Sequence, residues 1–218
     1  KNHVDKPGNH RRTRGFMLYG NYQFKCRLET EALLPYYKGS TFRGVFGHAL
    51  KKVVCALKHK DCEACVLKKR CLYAQVFETP LAFEMPKGSR ISSPPHPFVI
   101  EPPLTQQTRF EKDAYIDCNL ILFGEVNNSL PYFVYAFEQM GRIGIGKRVN
   151  GKRARFVLKA VKNGRKTIYT DMSQKLSMSG PAQAVTLSDP GDGDLRIRVK
   201  LETPLRLKFE NEIKADLP

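Results

Sequence analysis

Apolar and polar residues alternate from Tyr22 to Glu29, with Tyr22, Phe24, Cys26 and Leu28 on one side and Gln23, Lys25, Arg27 and Glu29 on the other. A period of two predicts a strand with one buried and one wet face. Beyond Pro35 and Gly39 the period changes. Ser40 is placed to cap a helix, and Phe42, Val45, Phe46, Ala49, Leu50, Val53, Val54 and Leu57 recur at the intervals that gather them on one helical face. Pro94, Pro95 and Pro97 lead into a short apolar run, Phe98 to Ile100, which Pro102 and Pro103 interrupt, the mark of an edge strand. Ile116, Cys118, Leu120 and Leu122 alternate with Asp117, Asn119 and Ile121 as far as Gly124. Ser129 and Pro131 open a second helix, filled from Tyr132 to Met140 and closed by Gly141. After a glycine-punctuated loop, Phe156, Leu158 and Ala160 mark a strand from Arg155 to Val161.

Strand, helix, strand, strand, helix, strand is the order of a ferredoxin-like (RRM-like) α+β domain, an arrangement common among RNA-binding modules. In this reading the domain spans residues 15–163, behind a mobile basic arm over 1–14 that is short of apolar residues. Residues 164–193, rich in Gly, Ser, Asp and Pro, read as a linker. Leu195, Ile197, Val199 and Leu201 then alternate with Arg196, Arg198 and Lys200, so 194–218 reads as the first strand of a second ferredoxin-like domain. Val199 to Leu207 (VKLETPLRL) echoes Cys26 to Leu34 (CRLETEALL), which makes that second unit an unfinished repeat of the first.

Charge adds a partner to this picture. Lys and Arg number 37 against 21 Asp and Glu, a formal net charge of +16 in 218 residues. That excess predicts a polyanion, nucleic acid ahead of an anionic membrane. No stretch has the roughly 18 consecutive apolar residues of a membrane span, and Lys1 to Arg14 lacks the apolar core of a signal peptide. The expected location is the cytoplasm, where thiols stay reduced, so the six cysteines argue for metal ligation over disulfides. Cys26 and Cys118 occupy apolar positions of predicted strands and read as small buried residues. Cys55, Cys62, Cys65 and Cys71 follow the spacing C-x(6)-C-x(2)-C-x(5)-C at the end of the first helix and in the loop behind it. A C-x(2)-C knuckle lets two thiolates chelate one ion, and two flanking cysteines complete a tetrahedron. Zinc in a closed structural site over 55–71 is the expected occupant; an iron–sulfur cluster uses the same donors and remains the alternative. His59 and His48 share the helical face of Cys55, and with four thiolates at hand neither is needed as a ligand.

Gly141, Gly146 and Lys147 match G-x(4)-G-K, the beginning of a phosphate-loop signature. Arg148 stands where that signature needs Ser or Thr, and the loop follows a helix and precedes a strand, the reverse of the required order. A nucleotide-binding loop is therefore excluded. What remains is a flexible glycine loop in which Arg142, Lys147, Arg148, Lys152 and Arg153 offer charge to phosphates.

Three stretches resemble the CRISPR precursor-RNA-processing endoribonucleases of the RAMP superfamily. KGSTFRGVFGHAL (Lys38 to Leu50) is similar to the family's Gly-x-x-x-Arg-Gly helix start; the second stretch is the cysteine loop with CLYAQVFETP behind it; Leu130 to Val161 resembles the helix and glycine-rich loop that mark the superfamily. The resemblance implies ferredoxin-like domains that grip a CRISPR repeat RNA, with Arg43 joining the loop cations as an RNA-binding residue. It also implies a single cut without catalytic metal, by attack of a ribose 2′-hydroxyl that leaves a 2′,3′-cyclic phosphate. Such a reaction needs a base, an acid and a cation for the phosphorane. His59 matches the position of the family's frequent catalytic histidine, His48 is the reserve, and Lys58 or Lys60 would stabilise the charge. Tyr36 and Tyr37 are candidates to orient the phosphate, with buried packing expected for at least one of them. A non-catalytic RNA-binding subunit of a CRISPR effector complex, with other effector subunits as partners, is the alternative that the same resemblance carries.

Overall fold

The alternation at Tyr22 extends through the whole of a twelve-residue strand, β1 (Met17–Leu28), in which every second residue from Gly20 to Leu28 is buried. The structure is a computed structural model, and it describes residues 17–58, 61–89, 91, 93–177, 183–185, 199–201, 207–209 and 212–214. After β1 come β2 (Ala32–Leu33), α1 (Gly39–Val54), α2 (Leu72–Phe77), α3 (Thr79–Ala82), β3 (Phe98–Glu101), β4 (Arg109–Phe110) and β5 (Tyr115–Phe123). Then follow α4 (Leu130–Ile143), β6 (Ile145–Val149), β7 (Lys152–Ala154), β8 (Phe156–Asn163), β9 (Lys166–Thr170), β10 (Gln183–Val185), β11 (Leu207–Phe209) and β12 (Glu212–Lys214).

β1 is the axis of the main sheet, whose order is β3-β5-β1-β8-β9. Its register runs antiparallel to β5 from Tyr19↔Phe123 to Arg27↔Tyr115, and antiparallel to β8 on its other side. The Pro-flanked run at Phe98 is an edge strand, as its prolines demand. Both long helices lie against the even-numbered face of β1. Phe46 of α1 lies 5.0 Å from Phe137 and 5.9 Å from Phe133, both of α4, and Phe24 of β1 lies 4.1 Å from Phe137. Cys26 and Cys118 are buried on that face, 2% and 3% exposed. Tyr22 donates its hydroxyl proton to Asn127 Oδ1, and the Asn127 amide donates to the carbonyls of Leu122 and Gly124, so this buried carboxamide is satisfied on both sides.

Several expected boundaries are corrected. Ser40 does not cap α1: the helix begins at Gly39, Lys38 holds the cap position, and no side chain caps the free amides. Gly141 does not end α4, which continues to Ile143 and stops at Gly144, whose φ of 84° a glycine adopts without strain. Gly141 instead allows helix and sheet to touch, since a Cβ there would fall 2.2 Å from the Phe156 carbonyl oxygen. The linker expected over 164–193 is corrected too. β9 pairs with β8, β10 pairs with β1, and Tyr169 of β9 donates a hydrogen bond to Glu138 of α4, so both strands belong to the main sheet. The strand expected from Leu195 lies largely outside the described residues; residues 199–201 take no strand conformation, and β11 and β12 pair with each other. The arm over 1–14 also lies outside the described residues. Among the described residues no helix is long and apolar enough to cross a membrane.

Candidate nucleic-acid interface and cysteine knuckle

The glycine-rich segment is no loose loop. β6 and β7 pair as a hairpin closed by Asn150 and Gly151, both at positive φ (50° and 79°), the geometry that an Asn-Gly turn favours. Gly144 and Gly146 fix its seat: at Gly146, with φ 78°, a Cβ would stand 2.5 Å from the Leu33 carbonyl oxygen of β2. Ile145 and Ala154 are buried beneath the hairpin, while Arg142, Lys147, Arg148, Lys152 and Arg153 are all exposed. None of these five has an ion-pair or hydrogen-bond partner among the described residues. Four unpaired cations on a glycine-seated ribbon, with Arg142 at the end of α4 just before it, can meet successive phosphates at little ordering cost.

Arg43 has a different place. Its guanidinium lies over the rings of Phe98, at 4.7 Å, and Phe77, at 5.1 Å, half-buried, and burial lowers its pKa. This arginine packs α1 onto aromatic surface, and a part in gripping RNA stays what the resemblance implies for it. Tyr36 and Tyr37 are 61% and 40% exposed, so the buried packing expected for one of them is corrected. Sequence reasoning missed Lys38. It is 1% exposed, lies over the Phe110 ring, and donates to the carbonyls of Tyr36 (3.1 Å) and Thr105 (2.7 Å), tying the segment before β4 to the start of α1. Desolvation lowers its pKa. Nothing in the pattern distinguishes this lysine from its exposed neighbours.

Cys55 caps the C-terminus of α1, its amide donating to the Lys51 carbonyl. The Cys65 amide donates to the Cys62 carbonyl at 3.3 Å, and the Lys68 amide to the Cys65 carbonyl at 3.2 Å, the tight turn of a knuckle. Cys71 leads into α2. All four thiols, with Lys51, Lys68, Tyr73 and Ala74, line one cavity of about 20 Å³. Among the described residues no three His, Cys, Asp or Glu side chains are gathered closely enough to hold an ion as they stand. The donor set nonetheless fits a thiophilic ion: sulfur surrounds the cavity, and the Lys51 ammonium hydrogen-bonds Cys62, which raises its pKa, with the charge of Cys62, Tyr73 and Cys55 adding to this against desolvation. His48 is exposed on α1 and lines none of the cavities described here, and His59 and Lys60 lie outside the described residues.

Fold and site together define an α+β domain with one principal antiparallel sheet, a cation-bearing hairpin and a four-thiol knuckle. The chain belongs to the AF_1859_N family, described as an N-terminal domain, whose profile covers residues 17–181, from the first residue of β1 to beyond β9. It is 31% identical over 115 residues to an uncharacterised protein of Archaeoglobus fulgidus, a stretch that makes up 51% of this chain and 37% of that protein. The alignment therefore spans little more than a third of this curated relative. Among solved structures, the Csm3–Csm4 subcomplex of the type III-A CRISPR–Cas interference complex superposes with a TM-score of 0.43 at 11% identity, over 67% of this chain and 78% of the matched one.

Proposed function

We propose that this chain is an RNA-binding protein of a CRISPR system, built on a ferredoxin-like RAMP domain, whose β6–β7 hairpin grips the backbone of a CRISPR repeat RNA. The observation that carries the reading is the set of four exposed, unpaired cations on a hairpin seated by Gly144 and Gly146, with Arg142 at the end of α4 just before it. Three things support it further: the strand order β8-β1-β5-β3 with α1 and α4 as crossovers, the net charge of +16, and the likeness of Lys38 to Val161 to RAMP sequences. In this reading Cys55, Cys62, Cys65 and Cys71 hold a structural zinc ion. A closed four-thiolate site leaves no open position for substrate, so the ion fastens the loop to α1 and takes no part in chemistry.

The catalytic form of the proposal is cleavage within the repeat by 2′-hydroxyl attack, with His59, His48 and Lys60 as the groups to test. The exposure of His48 outside any described cavity favours the alternative, a non-catalytic subunit that works beside other effector subunits in the cytoplasm. One assay addresses both. Labelled repeat RNA is incubated without divalent metal with wild type, His59→Ala and His48→Ala, and binding is followed as salt rises. Cleavage lost in one histidine variant identifies the enzyme, and binding without cleavage identifies the subunit. For Arg148→Ala combined with Lys152→Ala, the slope of log affinity against log salt is expected to fall by about 1.4, roughly 0.7 for each lost contact with single-stranded phosphate. An affinity indifferent to salt would remove the hairpin from the interface.

A further inference from the structure

The face of β1 turned away from the helices carries Tyr19, Asn21, Gln23, Lys25 and Arg27, all half-buried. Register places Gln23 directly opposite Asn119 of β5, and Tyr19 opposite Phe123, with ring centroids 5.9 Å apart. Tyr19, Asn21, Gln23, Asn119 and Asn163 line a cleft of about 290 Å³. Gln23 and Asn119 also border a neighbouring cavity of about 650 Å³, where Tyr37, Glu101, Asp117 and Lys200 are found.

Four carboxamides in one cleft leave much hydrogen-bonding capacity unmet. Asn21, Gln23 and Asn163 have no side-chain partner among the described residues, and Asn119 gives one N–H to Glu101 Oε2 at 3.0 Å. One carboxylate oxygen of Asp117 is buried with no hydrogen-bond partner. A free phosphate would seek cations, and an apolar peptide would gain nothing from amides. A planar group with alternating donors and acceptors on its edge matches carboxamides, and an aromatic wall gives its flat face a surface to stack on. Lys25 stands opposite Asp117 in the register and Lys162 opposite Gln23, so cations flank the cleft where the phosphates on either side of such a group would run.

We propose that this cleft accepts an unstacked base of single-stranded RNA, read by Asn21, Gln23 and Asn119 against Tyr19. The proposal rests on the RNA-binding reading above and adds to it a second surface that discriminates single strands from duplexes, whose stacked bases cannot enter.

The test measures anisotropy of a short labelled single-stranded RNA of mixed sequence, and of the same RNA annealed to its complement. Asn21→Ala combined with Gln23→Ala is expected to weaken single-strand binding about tenfold, the scale of lost base contacts. Duplex binding and the salt slope should stay at wild-type values, because no phosphate contact is removed. Gln23→Glu, of nearly the same shape, should weaken single-strand binding in the same direction, and melting curves of both variants confirm folding. Single-strand affinity unchanged in these folded variants, or lost equally with duplex affinity, overturns the cleft while leaving the hairpin reading intact. Wild-type protein that binds neither RNA overturns both.

Discussion

Phe46 has no exposed surface and lies within 6.1 Å of the rings of Phe77, Phe98, Phe133 and Phe137, whereas Val66 in the cysteine loop is 86% exposed. Between Cys55 and Cys71 no described residue is buried, and Leu57 and Leu67 are 45% and 43% exposed. The two regions are contiguous in sequence yet rest on different physics. Water exclusion and dispersion hold α1 to α4 and the sheet. The loop has short-range backbone bonds, a few exposed side-chain contacts such as Lys69 with Glu84, and its sulfur atoms, so a bound ion would add most of its order. Phe46→Ala tests the first half of this contrast and has the largest expected effect, a loss of about 3–5 kcal/mol in urea denaturation. A loss below about 1 kcal/mol, the scale of a surface change, would show that the ring cluster does not dominate the fold.

If the four thiols hold an ion as proposed, removing it by chelation, or replacing a donor with Cys62→Ser, should act locally. Trypsin cleavage at Lys68, Lys69 and Arg70 is expected to accelerate about tenfold, as a locally opened segment would, while the urea midpoint moves less than in Phe46→Ala. Metal analysis of wild type against Cys62→Ser accompanies the digest. A global loss equal to that of Phe46→Ala would erase the distinction between the two regions. A digest unchanged in chelator would show that the loop orders itself without metal.

What the sequence disclosed divides along the same line. The helical face of α1 was readable because burial imposes its period: Phe42, Val45, Phe46, Ala49 and Leu50 are all buried. The Cys spacing predicted four sulfur atoms around one centre, and the structure brings all four to one cavity without closing them into a ligand set. Helix ends were less legible. Glycines at 141, 144 and 146 look alike in sequence, and only the positive φ at Gly144 and the contact of Gly141 with Phe156 assign their roles. β9 and β10 escaped because each is short and defined by its partner strand, not by its own alternation. The carboxamide cleft was silent for a related reason: polar residues on a wet strand face carry no signal until register sets Gln23 against Asn119.

Asp117 lies on that second face and gives the smallest effect and the finest test of the contrast between the packed and the open sides of the sheet. Burial raises its pKa, while Lys25 and then Lys162 pull it down. The folded protein therefore takes up this proton at a higher pH than the unfolded chain, whose carboxyl titrates near 3.8. Between the two values the folded state binds more protons, so stability falls as pH rises through that window and the penalty persists at neutrality. Asp117→Asn removes the titration. The variant should be slightly more stable than wild type at neutral pH, with the gap closing as pH falls toward 3.8. A gap that does not vary with pH would mean that the carboxylate bears no desolvation cost on this face. A polar residue kept on this face at a cost to stability is what a binding surface, unlike a core, retains.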